Sequence, residues 1–236
     1  MQVVILCGGK GTRLRPLTYK VPKPMLKIHG MPFLQYQIEL MKEFGLNKFL
    51  LLTGYLGQQI RSYFKNGESL GVNIDYSIEK EPLGTGGALK NAEKLLSDEF
   101  ILLNGDTYLN INYMDLIKYF EDNNREAIIT IYDNKDKYFK NNILIDEQHI
   151  VIGYNKKDDS MMTHIDAGAF VIRKSLLKHI PAKSYCSMEE EIFNKLIETK
   201  QLKAFITSNR FYDIGSFKEL LKIETVITNK NKNIYS

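Results

Sequence analysis

The 236-residue chain is 44% hydrophobic and 25% charged, a composition typical of a soluble globular protein whose core needs no disulfide framework. A net charge of +4, without a stripe of Lys and Arg interleaved with aromatic residues, argues against nucleic acid as a partner. No apolar run approaches the roughly 20 residues of a membrane span, and no signal-peptide pattern opens the chain, so we expect no membrane association. Cys7 and Cys186 are expected to be reduced, which favours the cytoplasm.

Hydrophobic periodicity predicts an alternation of strands and helices through the first half of the chain. The predicted strands lie at 3–7, 49–53, 73–78, 100–104 and 127–132, and the predicted helices at 33–44, 57–64, 86–96 and 113–123. This alternation predicts an α/β fold of Rossmann-like type, in which a mostly parallel, mixed central sheet carries helices on both faces.

The second half of the chain has a less regular pattern. A hairpin is predicted at 142–146 and 149–154, strands at 166–173 and 203–207, and helices at 188–198 and 216–229. Ser216 is expected to cap the last helix, and the polar residues 229–236 are expected to fray. Because no repeat and no linker is found, one domain is predicted over residues 1–236.

The loop after the first predicted strand combines clustered glycines with a run of cations. Gly8, Gly9 and Gly11 let a ligand approach the main chain closely, and no acid occurs before Glu39. The cations of this stretch are Lys10, Arg13, Arg15, Lys20 and Lys23. Free backbone N–H groups beside fixed cations suit a polyphosphate, so the pattern predicts a phosphate-binding loop at the carboxyl end of the strand.

The spacing of these glycines excludes two common nucleotide-binding motifs. No Gly-x-x-x-x-Gly-Lys-Ser/Thr occurs, and the third glycine of a dinucleotide fingerprint would fall at Leu14. The second strand ends at Thr53, where a dinucleotide-dependent oxidoreductase would carry an acid. A cation-rich loop around a reacting phosphate instead favours phosphoryl or nucleotidyl transfer.

Two further loops are expected at the same edge of the sheet. Residues 79–88 hold a second glycine cluster at a helix N-terminus, which suggests a ligand between two backbones. Asp106 follows the fourth strand directly, and Asp213 lies between an aromatic segment and Gly215. Mg²⁺ usually binds one or two carboxylates plus substrate phosphates, and ligands lie beyond the carboxyl ends of parallel strands. Asp106 and Asp213 are therefore predicted to be the metal ligands.

A family resemblance rests on the first loop. It reads Gly8-Gly9-x-Gly11-Thr12-Arg13-Leu14-x-Pro16 and is closed by Pro22-Lys23-Pro24. This stretch resembles the signature of the sugar-1-phosphate nucleotidyltransferases, and the similarity continues at 82–90, 104–106, 166–168 and 211–215. The resemblance implies a GT-A-like fold and an enzyme that joins an NTP to a sugar 1-phosphate, giving an NDP-sugar and pyrophosphate. Cell-surface polysaccharide biosynthesis is the expected setting.

The resemblance also divides the chain and assigns roles. Residues 1–133 would hold the nucleotide and 134–236 the sugar phosphate. We expect no C-terminal β-helix domain of the kind some relatives carry. The oligomeric state is left open, with a homodimer as one alternative. Arg13 would hold the leaving β- and γ-phosphates, Lys23 the transferred α-phosphate, and the two aspartates Mg²⁺. The nucleotide-binding residues implied are Leu6, Gly8, Gly9, Gly11, Thr12, Glu79, Pro82, Gly84, Thr85 and Asp106.

Glu79 falls where relatives place a Gln or Glu that reads the edge of the base. A carboxylate can accept from the paired N1–H and N2–H donors of guanine. It matches the cytosine amino group less well, and uracil or thymine less well still. The residue therefore favours GTP.

The sugar half departs from the pattern of many relatives, which read Phe-x-Glu-Lys-Pro and Asn-Ala-Gly. Here residues 154–158 read Tyr-Asn-Lys-Lys-Asp, and Asp166 precedes Ala-Gly168. Lys157 keeps the position of the lysine that binds the sugar phosphate, whereas Lys156 replaces the Glu that grips sugar hydroxyls. The change is either a charge swap between Lys156 and Asp166 across one pocket, or Lys156 points to solvent. Glu189, in an acidic helix start, is a further sugar contact implied by the resemblance.

The features together look most like the guanylyltransferases acting on heptose 1-phosphate. Mannose-1-phosphate guanylyltransferases come next, followed by uridylyl, thymidylyl and cytidylyl enzymes on other sugar phosphates. An alternative of another class is a non-catalytic relative that senses NDP-sugar and regulates a partner. Retention of Arg13, Lys23, Asp106 and Asp213 argues against that alternative.

Overall fold

The computed structural model describes residues 1–155, 159–182 and 184–234, with side chains through 227. The helices are α1 Phe33–Glu43, α2 Gly57–Phe64, α3 Gly84–Asn91, α4 Tyr113–Asp122, α5 Phe193–Glu198 and α6 Phe217–Ile234. The strands are β1 Gln2–Cys7, β2 Lys27–Ile28, β3 Met31–Pro32, β4 Lys48–Thr53, β5 Asn73–Ile78, β6 Glu99–Asn104, β7 Thr107–Leu109, β8 Ala127–Tyr132, β9 Ile143–Ile145, β10 Val151–Tyr154, β11 Ile165–Arg173, β12 Leu202–Thr207 and β13 Phe211–Asp213. None of the helices in these ranges is both long and apolar enough to cross a membrane.

A seven-stranded sheet in the order β12-β8-β11-β6-β1-β4-β5 forms the centre of the fold. Only β11 is antiparallel to its two neighbours, β6 and β8, while the other pairs in the sheet are parallel. The predicted mixed, mostly parallel α/β sheet is thereby confirmed. Because β11 separates β8 from β6 but reverses direction against both, the carboxyl ends of the other six strands share one edge.

Buried residues alternate between the two faces of the sheet, as the period of a strand requires. On β1, Val3 and Ile5 belong to a core cluster with α1, α2, α4 and α6, while Val4 belongs to a cluster with α3 and α5. Helices therefore cover both faces, as predicted.

The ends of several elements differ from the sequence prediction. The helix predicted at 86–96 begins at Gly84, ends at Asn91 and is followed by a 3-10 turn at Glu93–Leu95. The helix predicted at 188–198 begins as a π-helical turn, Met188–Ile192, before α5. The last helix extends beyond its predicted end at 229, because α6 continues to Ile234 and no Gly or Pro interrupts it after Ser216. The predicted cap is confirmed, since the Glu219 N–H donates to Ser216 Oγ at 3.3 Å.

Candidate active site

A cavity of about 820 Å³ opens at the carboxyl edge of β1, β4 and β6, a size that suits a nucleotide-like ligand. Thirteen of the predicted site residues line it: Leu6, Gly8, Gly9, Gly11, Thr12, Arg13, Lys23, Glu79, Pro82, Gly84, Thr85, Asp106 and Glu189. Asp166, Gly168 and Asp213 lie outside this lining. Lys156 and Lys157 fall outside the described residues.

The basic loop is tied to the segment that follows β4. Thr18 donates its hydroxyl proton to the Gly11 carbonyl at 2.8 Å, while Gly11 takes a left-handed φ of 59°. The Tyr55 hydroxyl lies 3.1 Å from the carbonyl oxygens of both Thr18 and Tyr19. These bonds fix the shape of the loop without using its cations, and Tyr55 is an anchor that the sequence pattern did not reveal.

Gly9 differs from its neighbours because the fold does not require a glycine there. A Cβ on Gly9 would meet nothing within 4 Å, and its φ is not left-handed. A Cβ on Gly8, in contrast, would lie 2.5 Å from Glu79 Oε1. Since Gly9 lines the cavity, a ligand passing close to its backbone would account for the lack of a side chain.

We expect Gly9→Ala to raise the KM for the nucleotide while leaving the midpoint of chemical unfolding unchanged or slightly higher, because alanine restricts the unfolded chain. Gly8→Ala is the comparison, since its Cβ should displace the Glu79 carboxylate and lower activity through that residue. Steady-state kinetics and urea unfolding of both variants make the test. An unchanged nucleotide KM in Gly9→Ala would contradict a close approach of ligand to this backbone.

The second glycine cluster meets the chain's own backbone. A Cβ on Gly84 would lie 2.5 Å from the Cys186 carbonyl oxygen, and one on Gly87 would lie 2.6 Å from that of Ser184. The N–H groups of Gly86 and Gly87 also donate to the Cys186 carbonyl, at 2.9 and 3.2 Å. The hypothesis of a ligand between two backbones is therefore corrected for Gly86 and Gly87, whose missing side chains admit residues 184–186. Gly84 and Thr85 still line the cavity.

Glu79 is held at the cavity between two loops. Its Oε2 accepts from the Leu83 N–H at 3.1 Å, and its Oε1 would lie 2.5 Å from a Cβ on Gly8 or on Gly54. Burial raises the pKa of this carboxyl, and the Leu83 N–H partly offsets the rise by stabilising the anion. The arrangement leaves Glu79 a fixed acceptor on the cavity wall.

A short antiparallel ladder brings the two predicted metal ligands together. Asp213 on β13 pairs with Thr107 on β7, next to Asp106, and the Ile214 N–H donates to the Asp106 carbonyl at 2.9 Å. Two segments that are distant in the sequence thus lie side by side, and Asp106 of the first lines the cavity. Within the described ranges no group of three or more His, Cys, Asp or Glu side chains could hold a metal. Two aspartates fit Mg²⁺, which takes hard oxygen ligands and completes its shell with substrate phosphates.

Asp106 has a cation beside it, and Arg13 lies near the loop that follows Asp213. Lys23, which is 8% exposed, donates from Nζ to Asp106 Oδ2 at 2.6 Å. Asp213 Oδ1 accepts from the Gly215 N–H at 2.8 Å, and a Cβ on Gly215 would lie 3.3 Å from each terminal nitrogen of Arg13. Burial, and to a lesser extent the negative charge of Asp106, raises the pKa of the Cys7 thiol. Three of the charged groups predicted from the sequence, Arg13, Lys23 and Asp106, line the cavity, and Asp213 lies on the adjoining strand.

The predicted sugar residues form a separate hydrogen-bonded group. Asp166 Oδ2 accepts from the Tyr154 hydroxyl at 2.9 Å, and Oδ1 accepts from the Gly168 N–H at 2.8 Å. Burial and then the charges of Asp166 and Glu189 raise the pKa of Tyr154. Glu189 accepts from the Thr85 hydroxyl at 2.8 Å and so connects the nucleotide side with this group. The partnership of Tyr154 with Asp166 was not evident from the sequence.

Comparison with known proteins places this geometry in a family. Over 218 residues the chain is 36% identical to D-glycero-alpha-D-manno-heptose 1-phosphate guanylyltransferase of Campylobacter jejuni, covering 91% of this chain and 95% of the relative. It is 30% identical to mannose-1-phosphate guanylyltransferase of Mycobacterium tuberculosis, covering 94% of this chain but 63% of that relative.

Solved structures agree with the sequence relatives. The crystal structure of HddC from Yersinia pseudotuberculosis complexed with GMP-PN matches with a TM-score of 0.82 at 31% identity, over 96% of this chain and 99% of that one. The inositol-1-phosphate CTP transferase from T. maritima shares the fold at a TM-score of 0.81 and 20% identity, over 96% and 94% of the two chains. Residues 2–230 match the nucleotidyl transferase family. The chain therefore belongs to the nucleotidyl transferase family, as its loop signature indicated.

Proposed function

We propose that this protein transfers the guanylyl group of GTP to a sugar 1-phosphate, with heptose 1-phosphate the favoured acceptor, and releases pyrophosphate. The observation that carries the proposal is the cavity lined by Arg13, Lys23 and Asp106, with Asp213 on the strand that pairs beside Asp106. Relatives that act on heptose 1-phosphate and mannose 1-phosphate, both guanylyltransferases, support the choice of base.

The chemistry requires charge neutralisation more than proton transfer. An oxygen of the sugar phosphate forms a bond to the α-phosphorus, the bond to the bridging β-phosphate oxygen breaks, and pyrophosphate leaves with the electron pair. The attacking oxygen is already ionised at neutral pH, so no general base is needed. Lys23 would contact the transferred phosphate, and Arg13 would hold the departing pyrophosphate. Mg²⁺ held by Asp106 and Asp213 would supply further positive charge to the phosphates.

The predicted sugar-binding residues support an acceptor substrate that carries several hydroxyl groups. Asp166 accepts a hydrogen bond from the Tyr154 hydroxyl with one oxygen and from the Gly168 N–H with the other. It therefore fixes the start of β11 as well as adjoining the predicted sugar site. Tyr154 and Glu189 complete a polar wall in which acceptors predominate. Such a wall suits a sugar phosphate whose hydroxyls can donate many hydrogen bonds, as those of a heptose or hexose phosphate can.

Substituting Glu79 tests the choice of base. Glutamine keeps the shape but offers one acceptor where guanine presents two donors, so Glu79→Gln is expected to lower kcat/KM for GTP about 10- to 100-fold. As the pH falls, the raised pKa of Glu79 means that its carboxyl gains a proton earlier than an ordinary glutamate. The KM for GTP should therefore rise on the acidic side in the parent protein and respond less in the variant. Glu68→Gln, at an exposed position, is the control.

Pyrophosphate release from a matrix of NTPs against sugar 1-phosphates tests the proposal directly. GTP with heptose 1-phosphate should give the highest kcat/KM. Activity with GTP and mannose 1-phosphate alone would show that the acceptor is mannose 1-phosphate and not heptose 1-phosphate. Activity with CTP, UTP or dTTP but not GTP would refute the role given to Glu79. Binding of an NDP-sugar without any pyrophosphate release would favour the regulatory alternative.

A further inference from the structure

We propose that Gln37 is a positioning residue that holds the turn carrying Asp106 in the geometry needed for the metal. The inference rests on the proposed role of Asp106 as a metal ligand. It concerns a residue of α1 that makes no contribution to the cavity lining.

Gln37 occupies a place where an apolar residue would be expected. It lies on the buried stripe of α1 with Leu34, Ile38 and Met41 and is only 2% exposed. A polar amide on such a stripe costs free energy unless its groups are hydrogen-bonded. Its retention therefore points to a specific set of bonds.

Those bonds span the metal-ligand turn. The side-chain amide Nε2 donates to the Asn104 carbonyl at 2.9 Å and to the Thr107 carbonyl at 2.7 Å. Asn104 is the last residue of β6 and Thr107 the first of β7, so one amide group joins the two ends of the turn that contains Gly105 and Asp106.

The rest of the turn is confined from two other sides. The Gly105 N–H donates to the Leu6 carbonyl at 3.1 Å, and a Cβ on Gly105 would collide with that carbonyl oxygen. The Ile214 N–H reaches the Asp106 carbonyl from the strand pair that also carries Asp213. Gln37 thus supplies the third support, and it is the only one of these supports made by a side chain.

The amide oxygen of Gln37 adds a second observation. Oε1 is buried and has no hydrogen-bond partner in the described part of the chain. An unpaired buried acceptor is costly, so the orientation of the amide is set by its two donated bonds. The side chain is therefore used as a donor group, which predicts what each substitution should do.

Gln37→Met tests the donors at nearly constant side-chain length. Loss of the groups that orient a metal ligand typically lowers metal affinity or activity about 10- to 100-fold. We expect the Mn²⁺ concentration for half-maximal activity, and the Kd for Mn²⁺ measured by calorimetry with a non-reacting GTP analogue, to rise by about that factor. The KM for the sugar phosphate should change less than twofold, because the acceptor site lies on other elements.

Two further variants keep the test decisive. Gln37→His retains an N–H donor and should lose less metal affinity than Gln37→Met. Its metal Kd keeps the proposal testable if the methionine variant folds poorly. Gln35→Met changes a glutamine of the same helix whose amide bonds to Glu39, and it should leave the metal Kd unchanged. A metal Kd within twofold of the parent in Gln37→Met would overturn the proposal, as would equal rises in every KM and Kd. The calorimetric readout is independent of which acceptor is used, so it remains interpretable if the proposed acceptor or base is wrong.

Discussion

Lys23→Gln is expected to lower kcat by about 10²- to 10³-fold, the scale of a lost transition-state donor. The same substitution is expected to strengthen the binding of divalent metal to the nucleotide-free protein. Both effects follow from one contact, because Lys23 Nζ lies 2.6 Å from Asp106 Oδ2. The ammonium group occupies the carboxylate oxygen on which the proposed metal site depends.

The charge balance of the site explains the second effect. Asp106 is paired with Lys23, and Arg13 lies near the loop that follows Asp213, so the four groups together carry no net charge. A divalent cation entering alone would have to displace Lys23 and would leave an excess of positive charge. Nucleotide phosphates change this balance, because they can take over Lys23 and Arg13 while the aspartates turn to the metal. Metal and nucleotide should therefore bind cooperatively, each raising the affinity for the other.

Calorimetry with Mn²⁺, with and without a non-reacting GTP analogue, measures this coupling. In the parent protein the analogue should tighten metal binding at least about tenfold, a coupling within the usual range. In Lys23→Gln the nucleotide-free affinity should rise and the coupling should shrink. Lys27→Gln, which removes an exposed lysine of β2, controls for the general change of charge. Equal nucleotide-free affinities in the parent and Lys23→Gln would show that the ion pair does not oppose the metal.

The sequence predicted those parts of the site that are local. The basic loop, Glu79 and Gly105-Asp106 each follow a strand directly, and the carboxyl ends of parallel strands share an edge. Hydrophobic pattern was sufficient to find such strands, because each runs for six residues, mostly buried in β1 and β6 and half exposed in β5. Hence most predicted nucleotide residues line one cavity.

Contacts between distant segments could not be predicted in the same way. The three-residue strands β7 and β13, which bring Asp213 beside Asp106, are too short to give a periodic signal. The packing of residues 184–186 against Gly86 and Gly87 depends on tertiary structure, so a glycine cluster alone suggested a ligand. Gln37 did leave a signal, a polar residue on an apolar helix stripe, but its partners lie almost 70 residues away, at Asn104 and Thr107.

Asp213→Asn is the second substitution with a large expected effect. Asparagine keeps an oxygen that can accept from the Gly215 N–H, so the loop after β13 should retain its shape. It removes one of the two carboxylate charges from the segment that lies near Arg13. We expect kcat to fall by about 10²- to 10³-fold at limiting metal, with the unfolding midpoint little changed.

Asp166→Asn provides a matched comparison, because it changes an aspartate near the site whose two oxygens already bond to Tyr154 and Gly168. That variant should alter the KM for the sugar phosphate and leave the metal dependence intact. Asp213→Asn should do the reverse: the Mn²⁺ concentration for half-maximal activity should rise, while the KM for the sugar phosphate stays within about twofold. The reason is that the proposed metal ligands and the predicted sugar-binding residues lie on different elements. If excess metal leaves Asp213→Asn with the kinetics of the parent and the same metal affinity, Asp213 is not a metal ligand and the β7–β13 ladder serves the fold alone.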